Sequence, residues 1–462
     1  MSSSNSHNYS RAYFESFILT TTIVWLPSKL FAYLAPFIAL LWFIFRSKST
    51  KILLRSTLLL ILYALLITIY KLFYYSKDED FIIQNSLLFL LTYGSFFFLF
   101  AIPSKISLYS DNHEKYLQAI KYIILIESIL GITQVIAFSL LNGVSFDFAT
   151  GDVAQGTLSP LSFLHPESNF NNQMFCNNML MLLLFYLPHA ISKKKDLWVC
   201  FLGIVATLLA SVLHLFLCFF IALIFISFFF SRSFIKLSAT KLVLILSVVI
   251  IIISSIILQP HNFNLISFYF DKFSNNQSPK TIVTVNSVKK LPKDFPWVYT
   301  IGLGPGQYSS RAGLIGTGHY FGDFKKPKEI PLIVNSQSAA FKKYTFSQWR
   351  DYTSPKYGSS TMSRPFYSVL SILIELGYVA FAFLLIYLIR QISFFKRRYK
   401  MLYTKNNYLS SFYTISCGVT IIYYILISFF ENYMEVTQAI FPGLLLYRYF
   451  RDYTFYIENK KE

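Results

Sequence analysis

Apolar residues run in blocks of bilayer length along most of the chain, separated by short polar clusters. The pattern breaks at length only once, between residues 259 and 365. A helix crosses the hydrocarbon layer with roughly 20 residues, fewer where its end residues snorkel. On that rule the blocks predict about twelve spans, at 14–27, 30–45, 53–73, 81–102, 117–141, 173–190, 197–212, 215–230, 242–258, 366–389, 409–429 and 436–450. The first two are short enough to form one broken or re-entrant unit. The expected fold is an all-α polytopic membrane protein in three parts. Residues 1–258 form an N-terminal bundle of about nine helices with a polar loop at 142–172, residues 259–365 form a large loop between helices 9 and 10, and residues 366–462 form the C-terminal helices and a tail.

The charges between the blocks predict an orientation. Arg46, Lys48, Lys51 and Arg55, then Lys193 to Lys195, then Arg232, Lys236 and Lys241, then Arg390, Lys396 to Arg398 and Lys400, then Arg448, Arg451, Lys460 and Lys461 fall on one side if the spans alternate. The positive-inside rule makes that side the cytoplasm, so both termini are expected there and both long loops on the external (periplasmic) face of a plasma, or inner, membrane.

Composition narrows the class without changing it. The chain is 55% hydrophobic and 14% charged, with a mean hydropathy of +0.50. A net charge of +19 raises the question of nucleic acid, but the positive residues sit in short clusters that topology explains, and no nucleic-acid-binding pattern accompanies them. Cys176, Cys200, Cys218 and Cys417 all lie inside apolar runs at no metal-ligand spacing, so neither a disulfide framework nor a zinc site is expected. The N-terminal MSSSNSHNYSRAYFES lacks the features of a cleaved signal peptide, so the first span is expected to be retained.

Candidate chemistry concentrates in the 259–365 loop. From Asp271 to Arg364 it carries fourteen Lys and Arg against five Asp and Glu, and loops of this length cross a membrane with little regard for charge. Clustered cations above a bilayer suit an anionic ligand such as a lipid phosphate or pyrophosphate, although many lysines of this kind only hold a loop near anionic headgroups. Gly302, Gly304 and Gly306 form GLGPG, where alternate glycines permit positive φ and a close backbone approach; a tight turn without a ligand is the simpler reading, and no P-loop Lys-Ser/Thr follows. Arg311 and Arg350 offer planar forks for pyrophosphate oxygens. Arg364 and Pro365 precede a span whose N-terminal N–H groups would form an anion site with Arg364 at its mouth. Ser368, Ser371 and Glu375 continue as a polar stripe on that helix, and an intramembrane carboxylate usually faces a cavity or a partner. In the other loop His165 and Glu167 are candidates for accepting a proton or orienting the group that does. Glu127 and His214 are the remaining unusual ionisable residues.

Three strings together resemble the O-antigen polymerase and O-antigen ligase superfamily of bacterial surface-polysaccharide assembly. They are TIGLGPGQY (Thr300 to Tyr308), SVLSILIELGYVAF (Ser368 to Phe381) and, more loosely, GTLSPLSFLHPESNFNNQMFCNNML (Gly156 to Leu180). The topology matches over nearly the whole chain, the strings over about a tenth of it. The sequence departs from the ligase pattern where His-Asn would precede the Glu-x-Gly, since Phe366 and Tyr367 stand there. It also departs where a middle helix of the family shows Ser-Arg, since Ser211, Val212 and His214 stand there. The first departure favours polymerase over ligase.

The resemblance implies a membrane glycosyltransferase that joins polyprenyl-pyrophosphate-linked oligosaccharide units, donor and acceptor both lipid-linked, on the external face. It implies a flippase and a chain-length regulator as partners and no cofactor. Arg311 and Arg364, with Arg350, would bind the donor pyrophosphate, while Glu167, His165 or His319 would help deprotonate the acceptor. A ligase, a flippase or other transporter, and a non-catalytic scaffold remain the alternative readings.

Overall fold

The computed structural model of the protein describes residues 3–77, 80–102, 113–143, 153–164, 171–210, 212–230, 275, 278–318, 336–348 and 365–459. These residues are helical with no strand among them. In chain order the helices are α1 (Ser3–Val24), α2 (Lys29–Ser47), α3 (Thr50–Tyr75), α4 (Ile83–Thr92), α5 (Gly94–Ala101), α6 (His113–Asn142), α7 (Asn172–Lys193), α8 (Leu197–Leu209) and α9 (Leu213–Phe230). Four short helices follow, α10 (Pro279–Val285), α11 (Leu291–Asp294), α12 (Arg311–Gly316) and α13 (Ala339–Tyr344). The chain closes with α14 (Ser368–Thr404), α15 (Tyr408–Ile427) and α16 (Thr437–Asn459).

Among the described residues six helices, α3, α6, α7, α9, α14 and α15, are long and apolar enough to cross a membrane. The α4–α5 pair, bent by 66°, makes a seventh if it is one span. The bend falls at Tyr93 and Gly94, where a Cβ on Gly94 would lie 2.7 Å from the Phe37 ring of α2, so glycine lets the start of α5 pack close on α2. Of the other expected spans, 242–258 lies outside the described residues, and α8 has only 13 residues. α16 carries Arg448, Arg451 and Asp452 along its second half, which takes it out of the apolar class. The described chain is therefore a helical membrane protein with six candidate spans.

α7 stands at the centre, buried on all sides over most of its length. Its asparagines tie it to the start of α16 and to α15. Asn178 donates to the Gln438 carbonyl at 2.8 Å and Asn177 to that of Ala439, while the Tyr423 hydroxyl donates to Asn177 Oδ1 at 2.7 Å. At one end of the bundle, basic residues of the α14 and α16 C-terminal halves are clasped by acids. Arg398, 2% exposed, pairs with Glu458 at 2.8 Å, and Arg448 pairs with Asp452 at 2.7 Å.

At the other end, residues 153–164 fold back along α6. The Gln134 side chain accepts from the Gln155 and Gly156 amides, each at 2.9 Å, and the Glu127 carboxylate accepts from the Thr157 amide at 3.0 Å and from its hydroxyl at 2.5 Å. Glu127 lies fifteen residues from the α6 C-terminus, about 22 Å along the helix at 1.5 Å per residue, so this segment reaches deep into the bundle. The same end carries a small lobe built from the described parts of 278–348 and the start of α14. It has its own core, with Val283, Leu291, Val298, Tyr308, Phe341 and Ile374 among its members.

Candidate functional site

The lobe is organised around one carboxylate. Glu375, fully buried, accepts hydrogen bonds from the backbone amides of Gly306 (2.6 Å), Tyr308 (2.9 Å) and Ser310 (3.0 Å). The GLGPGQYSS segment thus wraps a side chain of the protein itself in the way that backbone nests wrap external anions. Three positive φ angles make the wrap possible, at Gly302 (79°), Gly304 (94°) and Gly306 (76°). Gly306 also has to pass the α4 backbone, since a Cβ there would lie 2.2 Å from the Asn85 carbonyl oxygen.

The helix that supplies Glu375 is broken to receive the loop. Gly377, at φ 85° and ψ 162°, interrupts α14 in a region of backbone space that essentially only glycine occupies. The carbonyls freed by the break are used at once. Leu303 N–H donates to Ile374 at 2.9 Å and Gly304 N–H to Glu375 at 2.8 Å. Gly302 and Gly377 face each other with no room for a side chain on either. A Cβ on Gly302 would lie 2.4 Å from the Gly377 nitrogen, and one on Gly377 would lie 2.3 Å from the Thr300 carbonyl oxygen. On its other side the loop is held by α3, whose Tyr74 hydroxyl donates to the Leu303 carbonyl at 2.8 Å and whose Tyr70 hydroxyl donates to that of Ile301.

A second cluster forms where the loop runs into α12. The turn between α15 and α16, residues 428–436, presents Glu431, Asn432 and Glu435, all nearly or fully buried. The Asn432 amide donates to the Ser309 carbonyl (3.0 Å), to the Ser371 hydroxyl (3.2 Å) and to Glu435 (3.1 Å). The Arg311 backbone amide donates to Glu435, and the Tyr93 hydroxyl donates to the same carboxyl at 3.3 Å. The Arg311 guanidinium lies 3.9 Å from Glu431 Oε2, and its Nε donates to the Asn432 carbonyl at 3.4 Å. These are long contacts for a group that makes bonds of about 2.8 Å with a well-placed carboxylate. Beside the turn, His214 meets the Tyr433 hydroxyl at 2.8 Å, and that hydroxyl donates to Gln173 at 3.1 Å.

Burial pushes the Glu435 carboxyl up to about 8; the Arg311 amide pulls the other way, and the Glu375 charge adds to the rise. Glu435 therefore binds its proton more tightly folded than unfolded, where its ordinary value is 4.5. The stability it contributes is complete below that ordinary value and is lost as pH climbs through about 8. Detergent-solubilised protein is expected to melt at progressively lower temperature as pH rises from about 5 to about 9, and Glu435→Gln is expected to flatten that slope. A wild-type melting temperature that climbs over the same interval refutes the assignment.

The structure brings together Arg311, Gly302, Gly304, Gly306, Ser368, Ser371 and Glu375. Arg350, Arg364, His165, Glu167 and His319 lie outside the described residues. The start of α14 differs from expectation. The helix begins at Ser368, three residues beyond Pro365, and its first amides are occupied, Ser368 donating to the Glu431 carbonyl and Val369 to that of Ser428, each at 3.2 Å. A neighbouring turn has taken the place of the expected anion. Ser368, Ser371 and Glu375 do share one face, but that face is covered by the glycine loop and the 428–436 turn. Glu431, Asn432 and Glu435 were not singled out in the sequence, although ENYME offered a signal, two carboxylates four residues apart in a short link between apolar helices.

Comparison of the chain with protein-family models, with curated proteins and with solved structures returns no match.

Proposed function

We propose that the protein is a polysaccharide repeat-unit polymerase, a membrane glycosyltransferase that joins polyprenyl-pyrophosphate-linked oligosaccharide units. In this reading the chain spans the membrane about twelve times, both termini are cytoplasmic, and the 259–365 loop is external. The observation that carries it is the position of Arg311. Two of the three strings that resemble the O-antigen polymerase superfamily, TIGLGPGQY and SVLSILIELGYVAF, dock on each other through Gly302, Gly377 and Glu375, and the loop so fixed delivers Arg311 to the buried Glu431–Glu435 turn.

The chemistry asks for few parts. A hydroxyl oxygen of the acceptor sugar attacks the anomeric carbon of the donor, the bond from that carbon to the pyrophosphate oxygen breaks, and polyprenyl pyrophosphate leaves with the electron pair. The hydroxyl proton passes to a base. A guanidinium that cannot lose its charge stabilises the departing anion, and Arg311, 12% exposed beside the Glu431–Glu435 turn, is the described arginine of the loop that would supply it. Arg350 and Arg364 would join it. The base candidates are Glu167, His165 and His319; Glu435, buried and keeping its proton up to about pH 8, is not one of them.

The test is elongation by purified protein supplied with lipid-linked repeat units. Arg311→Ala leaves the backbone amide that serves Glu435 in place but removes the cation beside the buried Glu431, so a lower melting temperature is expected, and at temperatures where the variant is folded elongation should fall by roughly a hundredfold or more. Arg311→Lys should recover only part of the rate, because an ammonium lacks the planar fork. Normal elongation by Arg311→Ala would remove this residue from the mechanism.

A further inference from the structure

The lobe carries a basic ledge that the reaction above does not use. Residues 279–294 form one continuous helical stretch through α10, a π turn at Asn286–Lys290, and α11. Pro279, Val283, Ser287 and Leu291, four residues apart, are buried against the lobe. An α-helix would carry such a repeat around its surface, and the slacker π turn absorbs the drift and keeps the four on one face. Lys289, Lys290 and Lys293 are exposed, and Lys342 and Lys343 of α13 are exposed beside them, as the ion pair of Lys343 with Asp294 requires. These five lysines outnumber the one aspartate of the two helical stretches, Asp294, which is already engaged by Lys343 and by the Tyr344 hydroxyl.

Two observations say what covers this surface. Val285 and Val288, each 38% exposed, stand among the lysines, and apolar residues interleaved with basic ones mark helices that lie in a membrane interface. The ledge also borders an aromatic belt. Six residues after Lys293, Tyr299 packs edge-on against Tyr378 (5.3 Å between ring centroids), the first residue of α14 beyond the break, and Trp297 packs on Phe73 and Tyr74 at the end of α3. Tyr and Trp gather where spans pass from hydrocarbon to headgroup. We propose that the ledge of Lys289, Lys290, Lys293, Lys342 and Lys343 docks on the phosphate headgroups of anionic phospholipids in the bilayer that the spans cross. The contact would hold the lobe, and with it the glycine loop, flat against the membrane surface, whatever reaction the chain carries.

All four native cysteines are buried, so a Val288→Cys variant can be labelled selectively with an environment-sensitive fluorophore. In nanodiscs of phosphatidylcholine with phosphatidylglycerol, quenching by aqueous iodide is expected to be roughly threefold weaker than in discs of phosphatidylcholine alone, and the difference should vanish at high salt. Lys289→Gln with Lys290→Gln and Lys293→Gln should abolish it, and the three Lys→Arg changes should keep it. If the triple Gln variant misfolds, the salt titration of the otherwise wild-type protein carries the same test. A probe equally open to iodide in both lipids, or equally shielded in both, overturns the proposal, the first because nothing covers the ledge and the second because apolar insertion alone covers it.

Discussion

Gly377→Ala is expected to undock the glycine loop and to destabilise the protein strongly. The native backbone at this position costs a non-glycine residue on the order of 1–3 kcal/mol, and the added methyl would sit 2.3 Å from the Thr300 carbonyl oxygen, a contact with backbone that cannot rotate away. The chain must then move, and the Leu303 and Gly304 amide bonds to the broken helix go with it. Gly143 provides the control, because its φ is also positive, at 61°, while a Cβ there meets nothing within 4 Å. Gly143→Ala should cost only the conformational penalty, about 1–2 kcal/mol. Melting of both variants in detergent, with limited proteolysis to detect new cleavage near residues 299–311, separates the two costs. Equal losses for the two glycines would mean that the crossing of loop and helix is not close-packed.

Glu375→Ala is the second large effect, and its comparison with Glu375→Gln carries the information. Alanine leaves the amides of Gly306, Tyr308 and Ser310 buried with no acceptor, at about 1–3 kcal/mol for each unsatisfied group. Glutamine keeps one oxygen for them but turns an NH₂ group towards the remainder, so its loss should be smaller yet still measurable. Activity and stability are expected to fall together through this pair, because Glu375 acts by shaping the loop that presents Arg311. A Glu375→Gln variant that melts like wild type but fails to elongate would instead give the carboxylate a direct part in binding substrate.

The hydropathy pattern carried the helical class, and in several places the boundaries. The α3, α6 and α9 helices coincide closely with apolar blocks read from the chain, because a helix surrounded by lipid needs apolar residues on all sides and declares itself by composition alone. α16 begins where the 436–450 block begins but runs on to Asn459, and its second half, with Arg448 and Asp452 paired inside the protein, lies beyond what hydropathy marks. The glycines of GLGPG were legible as a turn. What they turn around was not, because the partner, Glu375, is sixty-nine residues from Gly306 along the chain. The polar stripe Ser368, Ser371 and Glu375 had the right periodicity but an unreadable direction, as nothing local shows that the stripe faces other parts of the same chain. The expected anion site at the start of α14 failed for the same reason, the carbonyls of Ser428 and Glu431 arriving from the opposite end of a helical hairpin.

The central claim is tested most directly by the size profile of the surface glycan, read by gel electrophoresis, in cells lacking the protein. The account predicts that the wild-type ladder collapses to a single repeat unit still attached to its anchor, and that the ladder returns with the wild-type gene but not with Arg311→Ala. An unchanged ladder in the deletion strain, or long polymer that accumulates on the lipid carrier without reaching its anchor, would contradict it.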